Sequence, residues 1–555
     1  MIKSLRLQFG SSPGEEKLII ETTPVTIFVG PNNSGKSKLL TEIQLFSKSG
    51  TKNHTFKLID DIDFFNLNGD QLDKEFNTFT LTPKDDERIY EDTVFVDGQK
   101  SHQVKAQKLK QILSDPNINK IDFCNFYLSP KTLKLDAINR ISLINQQPLG
   151  NLKSTPSNNL AILFRDDDKR LNVRRIIYEA FSLYFVLDPT NSGMLQIRLS
   201  KTPPRNHQEE KSLIKETIDF HSQAQEITNT SDGVKAFTGI ITSIIAGNPK
   251  VTILDEPEAF LHPSLSFKLG KEIATSAKIE LNRLFVSTHS SNFLLGCIQS
   301  GAPINIVRLT FSNEIGTARI LEKEKIETLM KDPLLRSTGV LNALFYKYVI
   351  ITEGDSDRAF YQEINERLNQ FSPEKSIQNC LFINAVGKDS IWKIIKPLRE
   401  MGIPAVGIYD IDILKNEGSN WTNALNSSFV PEISINQLSI ARSDLKNKFN
   451  ELKINMKTDG GVDALPASDK EAANNLFNQL EEYGIFVVRK GELEHWLTDL
   501  KVNAHKSVWL TKVFDAMMSN PEDPEYIKPG EGDVWEFLAR ISEWMSNESR
   551  KGIPK

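Results

Sequence analysis

The segment GPNNSGKS, Gly30–Ser37, constrains this chain more than any other part of its sequence. It follows the β-branched stretch PVTIFVG and precedes KSKLL, so a buried strand runs into a glycine-rich turn and then into a helix. Glycines let backbone N–H groups close around phosphate oxygens, a lysine reaches the β- and γ-phosphates, and a serine hydroxyl holds Mg²⁺. The pattern therefore predicts an ATP site. The predicted nucleotide contacts here are Asn33, Gly35, Lys36, Ser37 and Lys38.

Two later strands end in groups that complete an ATP-hydrolysing site. The apolar stretch VTILDEPEAFLHP, Val251–Pro263, delivers Asp255 and Glu256, which we expect to reach Mg²⁺ and the attacking water respectively. Leu284–Leu294 (LFVSTHSSNFL) is another buried strand and delivers His289 at its end, one helix later. We predict that His289 senses the γ-phosphate.

A small polar turn opens a helix at TSDGVKAFTGII, Thr230–Ile241, where free N–H groups suit a phosphate presented from outside. These four pieces, in this order, resemble the ABC-type ATPase family, and within it the branch found in overcoming-lysogenisation-defect (OLD) nucleases and recombination ATPases. The resemblance implies that Ser231, Asp232 and Gly233 complete the ATP site of a second subunit, although SDGVK departs from the transporter pattern LSGGQ. It also implies a glutamine loop, for which Gln146 and Gln147 are the candidates.

Two branches of that family do not fit the chain. Transporters need membrane partners, and the long-armed chromosome and break-repair ATPases carry hundreds of residues of heptads between the same motifs. The insertion here, about 47–226, has no sustained heptad seam. It holds strand-like stretches and a predicted helix over Leu171–Leu187, and we expect it to complete the ATPase sheet and add a dimerisation or arm element.

Composition is that of an ordinary globular protein. At 555 residues two or more domains are expected. No run approaches the ~18 apolar residues of a membrane span, and the start lacks a secretory core, so we predict a cytoplasmic protein. The three cysteines predict buried thiols. With a net charge of −5, only local basic patches could contact phosphates; Lys169–Arg175 and Ser549–Lys555 are the candidates, and a solvated charged face is the alternative for each.

A second acidic site follows the ATPase motifs. The apolar stretch in YVIITEGDSD, Tyr348–Asp357, runs into Glu353 and Asp357, and the strand PAVGIYDID ends in Asp410 and Asp412. Strands and helices alternate here, which predicts a parallel sheet whose carboxyl strand ends collect these side chains. Facing carboxylates repel and raise each other's pKa values, and Mg²⁺ or Mn²⁺ relieves such clusters.

The order E-G-x-x-D, strand, helix, D-x-D resembles the TOPRIM domain of topoisomerases, primases and OLD nucleases over about 347–500. The resemblance implies that Glu353 is the catalytic carboxylate and that Asp357, Asp410 and Asp412 bind metal, with Asp355 at a variable position. It also implies an acidic ligand for a second metal, which we assign to Glu494, with Glu492 as the alternative. An assisting lysine is expected, and the candidates are Lys490 and Lys551.

An ABC-type ATPase domain (1–325, insertion about 47–226), a connector (326–346) and a TOPRIM α/β domain with a helical C-terminal part (347–555) together resemble the OLD nucleases. That group includes the Gabija nuclease subunit and retron-associated effectors. The resemblance implies an ATP-regulated, Mg²⁺- or Mn²⁺-dependent DNA endonuclease in bacterial anti-phage defence, assembled as a homodimer or homotetramer through its ATPase domains. A helicase, or a reverse transcriptase with structured RNA, is an implied partner. An RNA (tRNA) nuclease, or a repair ATPase whose TOPRIM unit only binds DNA, are the alternatives.

Overall fold

The computed structural model describes residues 1–81, 90–96, 102–136, 139–153, 155–279, 281–312, 315–321, 331, 333, 339–504 and 506–554. It divides into two compact units, one formed by Met1–Val29 with Asn33–Ile320 and the other by Gly30–Asn32 with Leu321–Lys555. Most of the predicted connector, 326–346, lies outside the described residues. The exact borders of the predicted domains therefore stay a prediction.

Strands before residue 322 make up four sheets. They are β1 Ile2–Leu7, β2 Ile19–Glu21, β3 Val25–Val29, β4 Ile59–Phe64, β5 Thr80–Leu81, β6 Thr93–Val96, β7 His102–Lys105, β8 Thr132–Leu135, β9 Gln147–Pro148, β10 Tyr184–Asn191, β11 Met194–Ser200, β12 Gln225–Glu226, β13 Val251–Asp255, β14 Arg283–Ser287, β15 Ile304–Ser312 and β16 Ile315–Leu321.

The helices of the same region pack around these sheets. They are α1 Lys36–Ser49, α2 Gly69–Phe79, α3 Ala106–Ser114, α4 Lys120–Phe123, α5 Asn139–Ser142, α6 Asn159–Arg165, α7 Asp167–Phe181, α8 His207–Lys211, α9 Lys215–Gln223, α10 Asp232–Gly247, α11 Pro263–Ser276 and α12 Ser291–Gln299.

The central sheet has the order β16-β15-β3-β14-β13-β8. Its five strands from β15 to β8 pair in parallel. Strands β3 (VTIFV) and β14 (RLFVS) are buried at every residue, which explains why both are mostly apolar. Because their carboxyl ends lie at one edge, the turns that follow β3, β13 and β14 meet there.

The insertion contributes both to this sheet and to separate ones. Strand β8, which lies within it, pairs with β13, so the predicted completion of the ATPase sheet is confirmed. Strands β9 to β12 form an antiparallel sheet, and β5 to β7 form another. The helix predicted over Leu171–Leu187 is wrong at its end: α7 stops at Phe181 because Ser182 takes a left-handed conformation with φ 56°, and the aromatic run that follows becomes β10.

The basic patch on α7 is neither a phosphate groove nor a fully solvated face. The Arg170 side chain is 1% exposed, and its Nε lies 3.2 Å from Oε2 of buried Glu210. Arg174 also bonds Glu210, and Arg175 pairs with Glu272 at 3.0 Å. The arginines of this patch are therefore paired with carboxylates of the same unit.

The second unit is built on a four-stranded parallel sheet of order β18-β17-β19-β20. Its elements are β17 Tyr348–Thr352, α13 Asp355–Phe371, β18 Cys380–Asn384, α14 Lys388–Glu400, β19 Ala405–Asp410, α15 Ser419–Ser427, α16 Glu432–Glu451, α17 Ala467–Glu481, β20 Ile485–Val488, α18 Lys506–Met517 and α19 Asp533–Ser546. The strand–helix alternation and parallel pairing that the sequence predicts are confirmed. Across the described ranges, no helix has the length and apolar character needed to cross a membrane.

Candidate functional site

The glycine-rich turn lies between β3 and α1, as its sequence requires. Gly30, Asn33 and Gly35 have φ 144°, 61° and 90°, so the turn uses positive φ at three positions, and Gly35 caps α1. This places Lys36 and Ser37 at the first positions of α1. Lys36 is 6% exposed and its Nζ donates to the Ser34 hydroxyl at 3.3 Å. Burial lowers the pKa of Lys36 to about 8, against the opposing charges of Glu256 and Asp255.

Asp255, at the end of β13, accepts hydrogen bonds from two hydroxyl groups. The Ser37 hydroxyl donates to its Oδ1 at 2.9 Å, and the Ser287 hydroxyl donates to the same oxygen. The predicted partners Ser37 and Asp255, 218 positions apart, thus meet directly. A serine hydroxyl beside a carboxylate is the pair of oxygen ligands that suits Mg²⁺ at a nucleotide site.

Glu256 follows with a left-handed backbone, φ 49°, and a side chain that is 49% exposed. Its N–H donates to the carbonyl of Ser287 at 3.0 Å, and its own carbonyl accepts from Arg140 Nη1 at 2.8 Å. His289 Nε2 lies 3.7 Å from Glu256 Oε1. Burial and the neighbouring charge of Lys36 lower the pKa of His289. The predicted water-orienting and sensing residues are therefore side by side.

Ser231 and Gly233 occupy the amino end of α10, where Ser231 is the N-cap residue. A Cβ on Gly233 would lie 2.7 Å from the carbonyl oxygen of Phe260, so only glycine fits that packing. Gln147 belongs to β9 of the antiparallel sheet, and Gln146, which precedes that strand, donates to Gln196 at 3.0 Å. The strand beside β13 is β8, which ends at Leu135, and α5 lies between β8 and the two glutamines. The glutamine loop stays a prediction. Lys38 lies on α1 with its Nζ 3.9 Å from Glu42.

In the second unit, strand ends bring three carboxylates together. Glu353 follows β17, Asp410 ends β19 and Asp412 lies in the short helix after it. One oxygen from each lies within 4.8 Å of the others. Glu353 Oε1 accepts the backbone N–H of Asp410 at 3.1 Å. Burial, with the charges of Asp410 and Asp412, raises the pKa of Glu353 to about 8, and burial also raises the pKa of Asp410.

Asp357 and Glu494 border this cluster. Asp357 Oδ2 accepts the N–H of Gly354 at 2.9 Å, which caps α13. Burial and the charge of Asp410 raise the pKa of Asp357 to about 6, and the charge of Glu494 contributes. Asp355 faces elsewhere and accepts from Arg358 at 2.7 Å.

Two lysines that the sequence analysis did not single out balance the cluster. Lys457 Nζ lies 2.7 Å from Asp410 Oδ2, 3.7 Å from Asp412 Oδ2 and 3.4 Å from Glu492 Oε2. Lys388 Nζ lies 3.0 Å from Asp412 Oδ1. Burial lowers the pKa of Lys457, but the hydrogen bond to Asp410 and the surrounding carboxylates outweigh burial, so the pKa is raised. Lys457 lies in the loop after α16, and Lys388 is the first residue of α14, so the two cations come from separate segments of the unit.

The two lysines expected from sequence are engaged elsewhere. Lys490 Nζ pairs with Asp533 at 3.0 Å, and Lys551 pairs with Glu482. Lys457 lies 47 positions after Asp410, in a loop with no motif. Its backbone is held by Gly491, where φ is 123° and a Cβ would lie 2.2 Å from the Lys457 carbonyl oxygen. Lys388 had a readable signal, because it follows Gly387 in the short turn between β18 and α14.

The donor set fits a divalent cation. All three grouped side chains offer carboxylate oxygens, the ligand type that Mg²⁺ and Mn²⁺ prefer. Burial, with the nearby carboxylates, raises the pKa values of Glu353 and Asp410. Glu353, Asp410 and Asp412 would hold the ion, with Asp357 beside them.

Comparison with known proteins matches a part of each unit to a family model. The family model AAA_21, described as "AAA domain, putative AbiEii toxin, Type IV TA system", matches residues 25–295. The family model OLD-like_TOPRIM, described as "Overcoming lysogenization defect protein-like, TOPRIM domain", matches residues 344–412. No curated protein matches the chain. The matched ranges contain the nucleotide-site residues from Asn33 to His289 and the carboxylates from Glu353 to Asp412.

Solved structures with partial similarity include heads of SMC proteins. A head bound to the C-terminal winged-helix domain of ScpA is 17% identical with a TM-score of 0.36, over 59% of this chain and 99% of that one. The SMC head from Thermotoga maritima is 15% identical with a TM-score of 0.29, over 58% and 99%. Such low scores carry no conclusion about this chain.

The ATP motifs meet at one sheet edge, the carboxylates meet at another, and each set falls inside the matching family range. The second unit also has the parallel sheet that a TOPRIM domain requires. An ATPase that uses ATP and a nuclease domain that uses a divalent metal are thus joined in one polypeptide. The chain thus combines a P-loop ATPase domain with an OLD-like TOPRIM nuclease domain.

Proposed function

We propose that the chain is a DNA endonuclease that depends on Mg²⁺ or Mn²⁺, that is regulated by ATP and that acts in bacterial defence against phage. The observation that carries the nuclease proposal is the group of Glu353, Asp410 and Asp412, with oxygens within 4.8 Å of one another. A bound divalent cation supplies Lewis acidity toward a phosphodiester and offsets the repulsion of these groups. The role in defence rests on the family resemblance alone.

The residues of the cluster divide the work as follows in this proposal. Asp410 and Asp412 hold metal together with Glu353, and Asp357 orients the start of α13 while it borders the same site. Glu353 accepts the N–H of Asp410 and serves as the catalytic carboxylate that handles a proton of the attacking water. Glu494 contributes to a second metal.

Lys457 has a further part in the proposed reaction. Its Nζ is within 3.7 Å of Asp410 and Asp412, so it orients both carboxylates and supports a phosphate that approaches them. We therefore assign the role of the assisting lysine to Lys457 and not to Lys490.

At the ATP site, Lys36 and the turn from Asn33 to Lys38 bind the phosphates, and Ser37 with Asp255 holds Mg²⁺. Glu256 orients the attacking water and His289, 3.7 Å from it, senses the γ-phosphate. Ser231 and Gly233 present the amino end of α10 to the nucleotide of a second copy, so the active form is a homodimer or homotetramer.

The test is direct cleavage. Wild-type protein is incubated with Mg²⁺ or Mn²⁺, with and without ATP, and with supercoiled DNA, linear DNA or tRNA in separate reactions. We expect metal-dependent cleavage of DNA that changes with ATP. Cleavage of RNA alone would contradict the DNA assignment, and full activity of Glu353→Gln would contradict the assigned site. A neighbouring helicase gene, or a reverse transcriptase gene with structured RNA, would identify the partner.

A further inference from the structure

Glu258 lies in the turn after β13, three residues beyond Asp255, and has no part in the functions described so far. The residue as a whole is partly exposed, but one oxygen of its carboxylate, Oε2, is buried. A carboxylate at an ATP site that is turned inward calls for an explanation, because burial of an ionised group is costly unless hydrogen bonds compensate for it.

Oxygen Oε1 of Glu258 accepts two hydrogen bonds from the segment that follows β14. The backbone N–H of His289 donates to it at 2.7 Å, and the hydroxyl of buried Thr288 donates to it at 2.8 Å. The Thr288 oxygen in turn accepts the N–H of Ser290 at 3.0 Å. One carboxylate oxygen therefore fixes the backbone on both sides of His289.

This anchoring decides where the imidazole of His289 can point. The side chain leaves a backbone that is held at residues 288, 289 and 290, and its Nε2 lies 3.7 Å from Glu256 Oε1. The hydroxyl of Ser290 also accepts the N–H of Phe293 at 3.2 Å and caps α12. The junction between β14 and α12 is thus tied to the turn that carries Glu256.

A role for Glu258 as a second base is not supported by its surroundings. Oε2 is buried and accepts no hydrogen bond within the part of the chain that the structure describes. Both bonds fall on Oε1, and burial raises the pKa of Glu258. The carboxylate is directed toward backbone and hydroxyl donors, and not toward the exposed side where Glu256 lies.

We propose that Glu258 is a positioning residue of the ATP site, whose Oε1 holds Thr288 and His289 so that the imidazole faces Glu256. The proposal rests on the assigned role of His289 in ATP hydrolysis. It concerns hydrogen bonds and not charge, and this makes it testable with matched variants.

The experiment compares Glu258→Ala with Glu258→Gln in the full chain. Glutamine keeps a carbonyl oxygen at the place of Oε1, so both hydrogen bonds survive without the charge. We expect Glu258→Ala to lower kcat for ATP about 10- to 100-fold with little change in KM, from the loss of two buried hydrogen bonds. We expect Glu258→Gln to stay within about threefold of wild type. Glu179→Ala, an exposed carboxylate on α7, is the control and should hydrolyse ATP normally.

A double variant separates this proposal from the role of His289. If Glu258 acts through His289, adding Glu258→Ala to His289→Ala should cause no further loss of kcat. Multiplied losses, or a Glu258→Gln variant as impaired as Glu258→Ala, would overturn the positioning role. Normal kcat in His289→Ala alone would instead refute the sensing role of His289.

Correct folding is checked by thermal unfolding and by binding of a fluorescent ADP analogue. If Glu258→Ala does not fold, Thr288→Val provides the same test, because it removes one of the two donors with little change of shape. The expected result is again a lower kcat with unchanged KM. An unchanged kcat in Thr288→Val would contradict the proposal.

Discussion

The two acidic sites of this chain accommodate their carboxylates in different ways. At the ATP site, Asp255 receives two hydroxyl groups and the adjacent Glu256 keeps a side chain that is 49% exposed. In the TOPRIM unit, Glu353 and Asp410 lie against other carboxylates, and burial raises both of their pKa values. Lys388, at the start of α14, and Lys457, in the loop after α16, supply the opposing charge there.

The difference teaches how each site depends on its cation. Neutral hydroxyl donors hold Asp255 in place whether or not a metal is present, because a hydrogen bond needs no net charge. Clustered carboxylates repel one another, so the TOPRIM site gains much more from a divalent cation. We therefore expect the second unit to respond strongly to metal and to changes of charge.

The largest expected effect comes from Glu353→Gln. Removal of the catalytic carboxylate with almost unchanged volume should lower nuclease activity by about 10³-fold or more, while ATP hydrolysis remains. Plasmid cleavage and phosphate release measure the two activities separately. Asp355→Asn is the matched control, because Asp355 pairs with Arg358 outside the cluster and should keep cleavage. Equal loss of both activities in Glu353→Gln would break the comparison between the sites.

Metal binding should stabilise the second unit measurably. At Mn²⁺ concentrations about 100 times Kd, a ligand that binds only the folded state adds about 2.7 kcal/mol to the free energy of unfolding. Thermal unfolding with and without Mn²⁺, in the absence of nucleotide, measures this. Asp410→Asn should abolish the increase, whereas Asp255→Asn should leave it in place. An increase that survives Asp410→Asn would place the metal elsewhere.

The lysine assignment predicts a smaller change. Lys457→Met removes the cation nearest Asp410 and should weaken metal affinity or cleavage about 10- to 100-fold, as loss of a residue that orients ligands commonly does. Lys490→Met keeps the cluster intact, because Lys490 pairs with Asp533, and should have little effect on cleavage. The reverse ranking in a cleavage assay would restore the lysine suggested by the sequence.

The smallest expected effect concerns Glu258 and pH. Burial raises its pKa in the folded state above the usual 4.5, so its contribution to stability is full below pH 4.5 and is lost as pH rises through the folded-state pKa. Glu258→Gln does not titrate, and its Tm relative to wild type should increase over that range. Hydrogen bonding to Arg175 lowers the pKa of Glu179, so Glu179→Gln should show a small change of the opposite sign. A pH-independent difference for Glu258→Gln would show that this carboxylate stays ionised.

Sequence reasoning located the main elements of both sites because they depend on local chemistry. A strand followed by Gly35, Lys36 and Ser37 specifies a phosphate-binding turn, and strands that end in Asp255, Glu353 or Asp410 place carboxylates at a predictable sheet edge. The parallel pairing of strands β17 to β20 follows from the strand–helix alternation. Residue type and period therefore predicted the fold class and most of the grouped side chains.

Other features depended on contacts between distant segments. Lys457 and Gly491 come together only when the loop after α16 packs on the turn after β20, and nothing in either stretch announces this. Likewise, Glu258 looks like one more acid in the turn after β13 until its bonds to Thr288 and His289 are seen.

By itself the sequence determined the two families of motif, their order along the chain and the chemistry of their side chains, since these follow from local backbone preference and residue type. Only the tertiary structure decided which charges meet. It paired Arg170 with buried Glu210 and assigned Lys457 in place of Lys490 to the carboxylates. Charge pairing depends on distances between segments that are far apart in sequence, and those distances are set by packing of the whole unit.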